Sequence, residues 1–230
     1  MAGDHYFLEL DPPEERLRHA PHVVVVGGGF AGVHVCKALK NADVRITMID
    51  KRNFNLFQPL LYQVSTGLVS RGDVALPLRE LVGAQSNTQV LLGEVTQVNP
   101  EGKQIVFNGK AYSYDYLVLA TGSGSTFFGH DDWRTFAPPM KILEHAEEIR
   151  RRLLMAMEQA EQTPDPEARQ FLQTVVIVGA GPSGCEMAGA VSELMRWAMD
   201  NAFKQLDPEK TRIVMVLSLI HISEPTRPQK

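Results

Sequence analysis

The stretch His22-Val-Val-Val-Val26-Gly27-Gly-Gly-Phe-Ala-Gly32 decides the fold of this chain. Its four consecutive valines predict a parallel strand that is buried on both faces. The glycines at 27, 29 and 32 form the pattern G-x-G-x-x-G, and a helical stretch through Ala38 follows them. A second strand is predicted at Val44-Arg-Ile-Thr-Met-Ile49. Strand, glycine turn, helix and strand together predict one βαβ unit.

Each glycine of this turn has a separate task in binding a dinucleotide. Gly27 allows the tight turn, Gly29 leaves room for a pyrophosphate, and Gly32 lets the helix pack closely on the strand. The N-terminus of the helix offers free N–H groups and a partial positive charge to the phosphates. Asp50, at the end of the second strand, can accept both hydroxyls of an adenosine ribose and disfavours a 2′-phosphate. A glycine turn without a ligand is the alternative, but it does not explain why all these features occur in order.

The same pattern returns later in the chain. Thr174-Val-Val-Ile-Val178 is followed by Gly179, Gly181 and Gly184, a long helix and a strand at residues 212–216. A repeated βαβ unit predicts the α/β fold class with two Rossmann-like dinucleotide-binding domains, the second incomplete. Two sites suggest two dinucleotides, with FAD in one and NAD(P) in the other and electrons passing between them.

Other segments add to this organisation. Asp115-Tyr-Leu-Val-Leu119 with Ala120-Thr-Gly122 predicts a buried strand whose backbone passes close to a flavin dinucleotide, or simply a buried strand and a glycine turn. An amphipathic helix is predicted over 141–162, with Arg150-Arg-Arg152 on its solvated face rather than on a nucleic acid. A small antiparallel sheet is predicted from segments 90–92, 95–98, 104–107 and 110–113.

The composition of the chain excludes several classes of protein. With 230 residues, 44% of them hydrophobic, it can bury a core, and its net charge of −4 argues against a nucleic-acid-coating protein. The two cysteines, Cys36 and Cys185, are too few for a disulfide scaffold or a zinc site, so we expect no metal. We interpret both as small packing residues, not redox centres. No apolar run approaches the ~20 residues of a membrane helix, and the N-terminus is too acidic for a targeting peptide.

Two dinucleotide motifs around an Ala-Thr-Gly strand resemble the pyridine nucleotide-disulfide oxidoreductase superfamily. Its disulfide reductases carry a Cys-x-x-x-x-Cys pair after the first acidic residue, and this chain has no cysteine between Cys36 and Cys185. Instead, residues 50–64 read Asp-Lys-Arg-Asn-Phe-Asn-Leu-Phe-Gln-Pro-Leu-Leu-Tyr-Gln-Val. This segment, with residues 72–79, 137–141 and 184–189, is similar to type II NADH dehydrogenase, the non-proton-pumping NADH:quinone oxidoreductase.

The resemblance implies a set of cofactor-binding residues. For the FAD pyrophosphate and ribose they are Gly27, Gly28, Gly29, Gly32, Asp50, Lys51 and Arg52; for the adenine, the backbone of Val95; for the isoalloxazine, Gln58, Pro59 and Gln63; for the flavin dinucleotide, Ala120, Thr121 and Gly122; and for the NADH pyrophosphate, Gly179, Gly181 and Gly184. Glu186 matches the glutamate that faces the nicotinamide region and is our candidate catalytic residue. Its alternative role is a carboxylate favoured by the helix dipole.

The resemblance also implies a reaction and a location. NADH would pass a hydride to FAD, and the electrons would go on to a membrane quinone, with the protein supplying orientation. We expect a peripheral protein on the cytoplasmic side of the bacterial inner membrane that contacts quinone and membrane through a C-terminal region and forms a homodimer in its parent form. The chain as printed is expected to be a soluble, inactive fragment.

The family pattern ends at Val216. Leu217 stands where an acid should bind the NADH ribose, and residues 217–230 resemble a translated sequencing adapter, the alternative being a natural strand with a polar tail. An uncovered apolar sheet face is expected in the second domain. The predicted domains are a lead-in (1–21), an FAD-binding domain (22–136), a connecting helix and linker (137–172), the start of an NAD(P)H-binding domain (173–216) and a non-native tail (217–230).

Two other functions remain open at this stage. One is a related FAD-dependent NAD(P)H reductase that passes electrons to ferredoxin or another protein. The other is a nucleotide-binding module without redox activity. The quinone, the oligomeric state and the preference for NADH or NADPH do not follow from the sequence.

Overall fold

The computed structural model describes Leu17, residues 19–127 and residues 129–217, and these form two units. The first contains the described residues up to Phe57 together with 72–124, and the second contains 58–71 and 125–217. The packing units differ from the predicted domains, because 58–71 and 125–136 belong to the second unit. The predicted domain bounds were taken from the nucleotide motifs along the chain. The packing units depend instead on contacts in the fold, and a short helix at residues 61–66 contacts the helices of the second unit.

The strands and helices follow one another in the order that the repeated βαβ pattern predicts, with several short elements inserted. They are β1 (His22–Val26), α1 (Phe30–Ala38), β2 (Arg45–Asp50), β3 (Phe54–Leu56), α2 (Leu61–Thr66), α3 (Arg71–Val74), β4 (Ala75–Pro77), α4 (Leu78–Val82), β5 (Thr88–Leu92), β6 (Val95–Asn99), β7 (Gln104–Phe107), β8 (Lys110–Ser113), β9 (Tyr116–Leu119), α5 (Leu143–Gln162), α6 (Pro166–Leu172), β10 (Thr174–Val178), α7 (Pro182–Asn201) and β11 (Arg212–Val216). Short 3₁₀ helices cover Gln58–Leu60, Asp131–Thr135 and Pro208–Lys210.

A four-stranded parallel sheet, in the order β5-β2-β1-β9, forms the centre of the first unit. Val23 and Val25 of β1 pack against Cys36 of α1 and Leu78 of α4. On the other face, Val24 and Val26 pack with the antiparallel sheet β6-β7-β8, through β7. The prediction that β1 is buried on both faces is therefore confirmed.

Two strand predictions for this unit were wrong in part. Residues 90–92, predicted in the antiparallel sheet, lie in β5, which pairs parallel to β2. The strand predicted as buried at 115–119 is β9 at the opposite edge, where Tyr116 is 62% and Leu119 is 59% exposed.

In the second unit, β10 and β11 pair in parallel, and α7 connects them. Helix α5 ends at Gln162 as predicted, and Ala146, Leu153 and Ala160 of its predicted apolar face are buried. Arg151 and Arg152 both bond to Glu148, and these hydrogen bonds lower the pKa of Glu148 to about 2, as expected for a solvated face rich in ion pairs. Val176, Val178, Val214 and Val216 are exposed, so the sheet has an uncovered apolar face.

The described part of the chain contains neither a candidate membrane span nor a candidate metal site. None of its helices is long and apolar enough to cross a membrane. No group of three or more His, Cys, Asp or Glu side chains within these ranges could hold a metal ion. The predicted lead-in falls outside the described residues except for Leu17 and residues 19–21, and the predicted tail does so except for Leu217, which is exposed.

Candidate functional site: two glycine turns

Two glycines of the first turn, Gly27 and Gly32, lie directly against backbone carbonyl groups of the protein. Gly27 has a φ of +108°, and its N–H donates to Ile49 O at 2.8 Å. A Cβ on Gly27 would overlap the carbonyl oxygen of Ala120, and a Cβ on Gly32 would overlap the carbonyl oxygen of Gly27. Gly27 is required by its backbone conformation and by packing, and Gly32 is required by packing alone.

The middle glycine differs from these two. Gly29 has φ −74° and ψ −168°, which any residue adopts, and a Cβ there would meet nothing within 4 Å. No contact within the described chain explains a glycine at this position. The open space lies at the N-terminus of α1, where the pyrophosphate of a dinucleotide approaches the backbone. The turn therefore fits the pyrophosphate of a dinucleotide.

Asp50 completes this end of the sheet. Its Oδ2 accepts the N–H of Gly28 at 2.5 Å, and its Oδ1 accepts the N–H of Arg52 at 2.7 Å. Ala120 N–H donates to Val26 O at 2.8 Å, which places Ala120-Thr-Gly122 beside the turn. The structure thus brings Gly27–Gly29, Asp50 and residues 120–122 to the carboxyl ends of β2, β1 and β9. This is the edge where ligands bind in doubly wound sheets.

Three other predicted FAD contacts lie in the same unit. Lys51 is exposed and Arg52 is half-buried directly after β2. Val95 begins β6, and its backbone pairs with Phe107. Their roles toward FAD stay predictions.

The second turn repeats the first in its backbone. Gly179 has a φ of +102°, and its N–H donates to Val216 O at 2.9 Å, as Gly27 N–H does to Ile49 O. A Cβ on Gly184 would overlap Gly179 O, whereas Gly181 has φ −68° and nothing within 4 Å. A second open position at a helix N-terminus fits a second dinucleotide.

The register of the strands identifies the residue that corresponds to Asp50. Val26 pairs with Ile49 in the first unit, and Val178 pairs with Val216 in the second. Asp50 follows Ile49, so its counterpart is Leu217, which is 49% exposed. An apolar side chain cannot accept the ribose hydroxyls at this position.

The residues predicted near the isoalloxazine belong to the second unit. Gln58 and Pro59 are exposed, and Gln58 Nε2 donates to Lys141 O at 3.5 Å. Gln63 Nε2 donates to Tyr62 Oη at 3.1 Å. Their predicted role at the flavin, which would lie at the turn of the first unit, stays a prediction.

Glu186 is exposed on α7 and lies beyond its first turn, which contains no acidic residue. The stabilisation by the helix dipole falls off after the first turn, so the alternative role for this glutamate is weakened. Its catalytic role remains a prediction.

The two cysteines have different environments. Cys36 is fully buried in the core, and burial raises its pKa to about 11, which confirms the packing role and keeps the thiol protonated. Cys185 is exposed, so the prediction that it is a packing residue was wrong. Its Sγ approaches the carbonyl oxygen of Ala180 in the second turn at 3.6 Å.

Two residues at the first turn were not predicted from the sequence. Asn55 is buried in β3 and donates from Nδ2 to Gly28 O at 2.9 Å. Leu78 packs on Gly28, where a Cβ would come within 2.5 Å of Leu78 Cδ1. Both lie in segments that resemble the family, 50–64 and 72–79, but their contacts with the turn arise only in the tertiary fold.

The sequence pattern of one family, Pyridine nucleotide-disulphide oxidoreductase, matches residues 21–218. The chain belongs to this family. Among the curated relatives of this chain are two proteins of Mycobacterium tuberculosis. Type II NADH:quinone oxidoreductase Ndh is 44% identical over 214 residues, which are 90% of this chain and 46% of that protein. Type II NADH:quinone oxidoreductase NdhA is 40% identical over 90% of this chain and 45% of that protein. The chain spans about half the length of these curated relatives.

Solved structures support the fold. The structure of NDH2 from Plasmodium falciparum in complex with RYL-552 matches this chain with a TM-score of 0.78 and 23% identity, over 86% of this chain and 41% of that one. At that identity the match shows the fold alone. It confirms the predicted α/β architecture of the Rossmann type.

Proposed function

We propose that these residues are part of an FAD-dependent NADH:quinone oxidoreductase of the non-proton-pumping type. The observation that carries the proposal is the pair of equivalent turns, each with a middle glycine that nothing in the described chain explains. The relatives at 44% and 40% identity are both named type II NADH:quinone oxidoreductases, which favours quinone as the acceptor. A matched ferredoxin reductase structure has 20% identity and a TM-score of 0.57, which supports a shared fold only.

The residues of the first turn would hold FAD by its phosphates and ribose. Backbone N–H groups at the start of α1 would donate to the pyrophosphate, and Asp50 would accept from the ribose hydroxyls. Gly181 and the start of α7 would hold the pyrophosphate of NADH in the same way. Bound FAD would supply the redox chemistry, by accepting a hydride from NADH and delivering electrons to a quinone.

The remaining predicted residues would position these two cofactors. Gln58, Pro59 and Gln63 would lie along the isoalloxazine, and Glu186 would orient the nicotinamide. The whole protein would act on a quinone at a membrane surface, as a peripheral protein on the cytoplasmic side of the bacterial inner membrane, with a homodimer as its assembly.

The test has two stages. In the first, this chain is purified and titrated with FAD, and we expect a yellow complex with one flavin per chain. In the second, the protein encoded by the genomic locus of these residues is mixed anaerobically with NADH and then with a short-chain quinone. We expect the flavin to bleach with NADH and to regain its colour with quinone. A flavin that NADH does not bleach would exclude the oxidoreductase function, and one that only a ferredoxin reoxidises would favour the alternative reductase.

A further inference from the structure

The buried side-chain amide of Asn55 forms a hydrogen bond with the first glycine turn, in addition to the hydrogen bonds of Asp50. Asn55, in the middle of β3, is only 8% exposed, and its Nδ2 donates to Gly28 O at 2.9 Å. Burying a polar side chain is costly unless it is hydrogen-bonded, so this bond determines where the Asn55 amide lies.

Gly28 is therefore restrained at three places. Its N–H donates to Asp50 Oδ2, its carbonyl oxygen accepts from Asn55, and its Cα lies against the buried side chain of Leu78. The two bonds restrain two successive peptide planes, the one between Gly27 and Gly28 and the one between Gly28 and Gly29. The second turn differs in this arrangement, since the corresponding carbonyl, that of Ala180, is approached by the Cys185 thiol at 3.6 Å.

The peptide plane between Gly28 and Gly29 contains both the carbonyl group of Gly28 and the N–H of Gly29. In a trans peptide the C=O and N–H point in opposite directions, and the described residues contain no cis peptide bond. Asn55, by fixing Gly28 O, thus directs the Gly29 N–H away from itself. No acceptor for that N–H is found among the described residues.

We infer that Asn55 is a positioning residue for the phosphate-binding turn, acting by orienting the Gly28–Gly29 peptide so that the Gly29 N–H is presented to the pyrophosphate of FAD. This role rests on the proposed FAD site in the first unit. It predicts that FAD affinity depends on a hydrogen-bond donor at position 55, and that the fold of the unit depends on it much less.

The experiment compares Asn55→Leu and Asn55→Asp with matched changes at a second buried asparagine. Asn87 is 5% exposed and donates from Nδ2 to the carbonyls of Leu39 and Ala42, next to the amino end of β5 and so at the opposite end of the sheet from the turn. FAD affinity is measured by flavin fluorescence at pH 8 and pH 5 on the full chain, with far-UV circular dichroism and urea unfolding alongside.

At pH 8 we expect both variants at position 55 to bind FAD roughly tenfold or more weakly, because Gly28 O loses its donor. The carboxyl group introduced by Asn55→Asp is ionised at pH 8 and repels that oxygen. Burial raises the pKa of this carboxyl group, so at pH 5 it is protonated and donates. Relative to the unchanged chain, Asn55→Asp should therefore regain affinity at pH 5, while Asn55→Leu should not. The variants at Asn87 should lose stability and keep their affinity for FAD.

The outcomes separate this role from the function on which it rests. An unchanged chain that binds no FAD would overturn the proposed function and the role of Asn55 with it. If the unchanged chain binds FAD and Asn55→Leu binds it equally well, only the positioning role is overturned. Equal losses of affinity in the variants at Asn55 and Asn87 would also overturn it, because the effect would then be general destabilisation. If Asn55→Leu fails to fold, the affinity ratio of Asn55→Asp between pH 5 and pH 8 decides.

Discussion

The two glycine turns have the same backbone conformation but different neighbouring residues. In both, the first glycine has a positive φ and donates to a carbonyl near the end of the neighbouring parallel strand, and the third glycine packs on the first. Gly27 and Gly28 are buried, whereas Gly179 is exposed and a Cβ on it would meet nothing within 4 Å. The turn is thus a local structure that six residues specify.

The contacts that distinguish the first turn are made by residues outside the turn itself. Asp50, Asn55, Leu78 and Ala120 all contact it, and each arrives on a different part of the first unit. At the second turn, Leu217 replaces the acid and a thiol replaces the amide donor. The comparison teaches that the backbone of the turn follows from the local motif, whereas the groups that restrain it and the acid beside it depend on tertiary neighbours.

The largest expected effect comes from the first glycine of each turn. Gly27→Ala should lower the free energy of unfolding by about 2–4 kcal/mol, because it combines backbone strain at φ +108° with overlap against Ala120 O. Gly179→Ala should cost only about 1–2 kcal/mol, since strain alone applies. Urea unfolding measures both, and equal losses would show that the surroundings of the two turns do not differ energetically.

The middle glycines should affect binding and leave stability nearly unchanged. Gly29→Val places a side chain in the open space at the start of α1, so FAD affinity should fall at least about tenfold while the urea midpoint barely moves. Gly181→Val is the matched control, and it should leave the FAD content intact. A Gly29→Val chain with full flavin content would contradict the assignment of FAD to the first turn.

An acid can be placed in the second turn at the position that matches Asp50. Leu217→Asp should increase NADH affinity about tenfold, because a charge-assisted hydrogen bond to the ribose becomes available. Leu217→Asn is the control for size. Isothermal titration with NADH and NADPH measures the effect, and a gain for NADPH as large as that for NADH would argue against a ribose contact.

The smallest expected effect concerns the first residue of each repeated strand. His22 begins β1, and burial, followed by the charge of Arg45, lowers its pKa; β10 begins instead with Thr174. The unfolded chain therefore binds a proton more readily, and the stability contributed by neutral His22 is present above about pH 6.5 and is lost as the pH falls below it. His22→Thr should remove this part of the pH dependence of unfolding. An unchanged difference between pH 8 and pH 5 would refute it.

The sequence predicted the repeated βαβ units well because their signals are local. The run of valines, the glycine spacing and Asp50 all lie within one continuous stretch, and β1, β7, β8 and β11 have the bounds that alternation and β-branching predict. Helix α5 was predicted to within two residues at its start for the same reason.

The sequence did not predict Asn55 and Leu78 as tertiary neighbours of the first turn. Residues 90–92 were placed in the wrong sheet because alternation does not distinguish an edge strand of a parallel sheet from an antiparallel one. Asn55 was missed as a contact of the turn because a polar residue in a short strand gives no sign of burial. The exposure of Cys185 was missed because a small apolar side chain near a glycine fits both a core and a ligand-facing surface.

Because Cys36 is buried and Cys185 is exposed, a fluorescent label can be attached to a single site of the chain. Only the thiolate reacts with maleimides, and Cys36 is fully buried with its pKa raised to about 11, so such a reagent should attach to Cys185 alone. The attached fluorophore would sit one residue after Gly184, beside the second turn. Its emission would follow occupancy of the second turn in real time, and flavin absorbance would follow the first, without a single engineered cysteine.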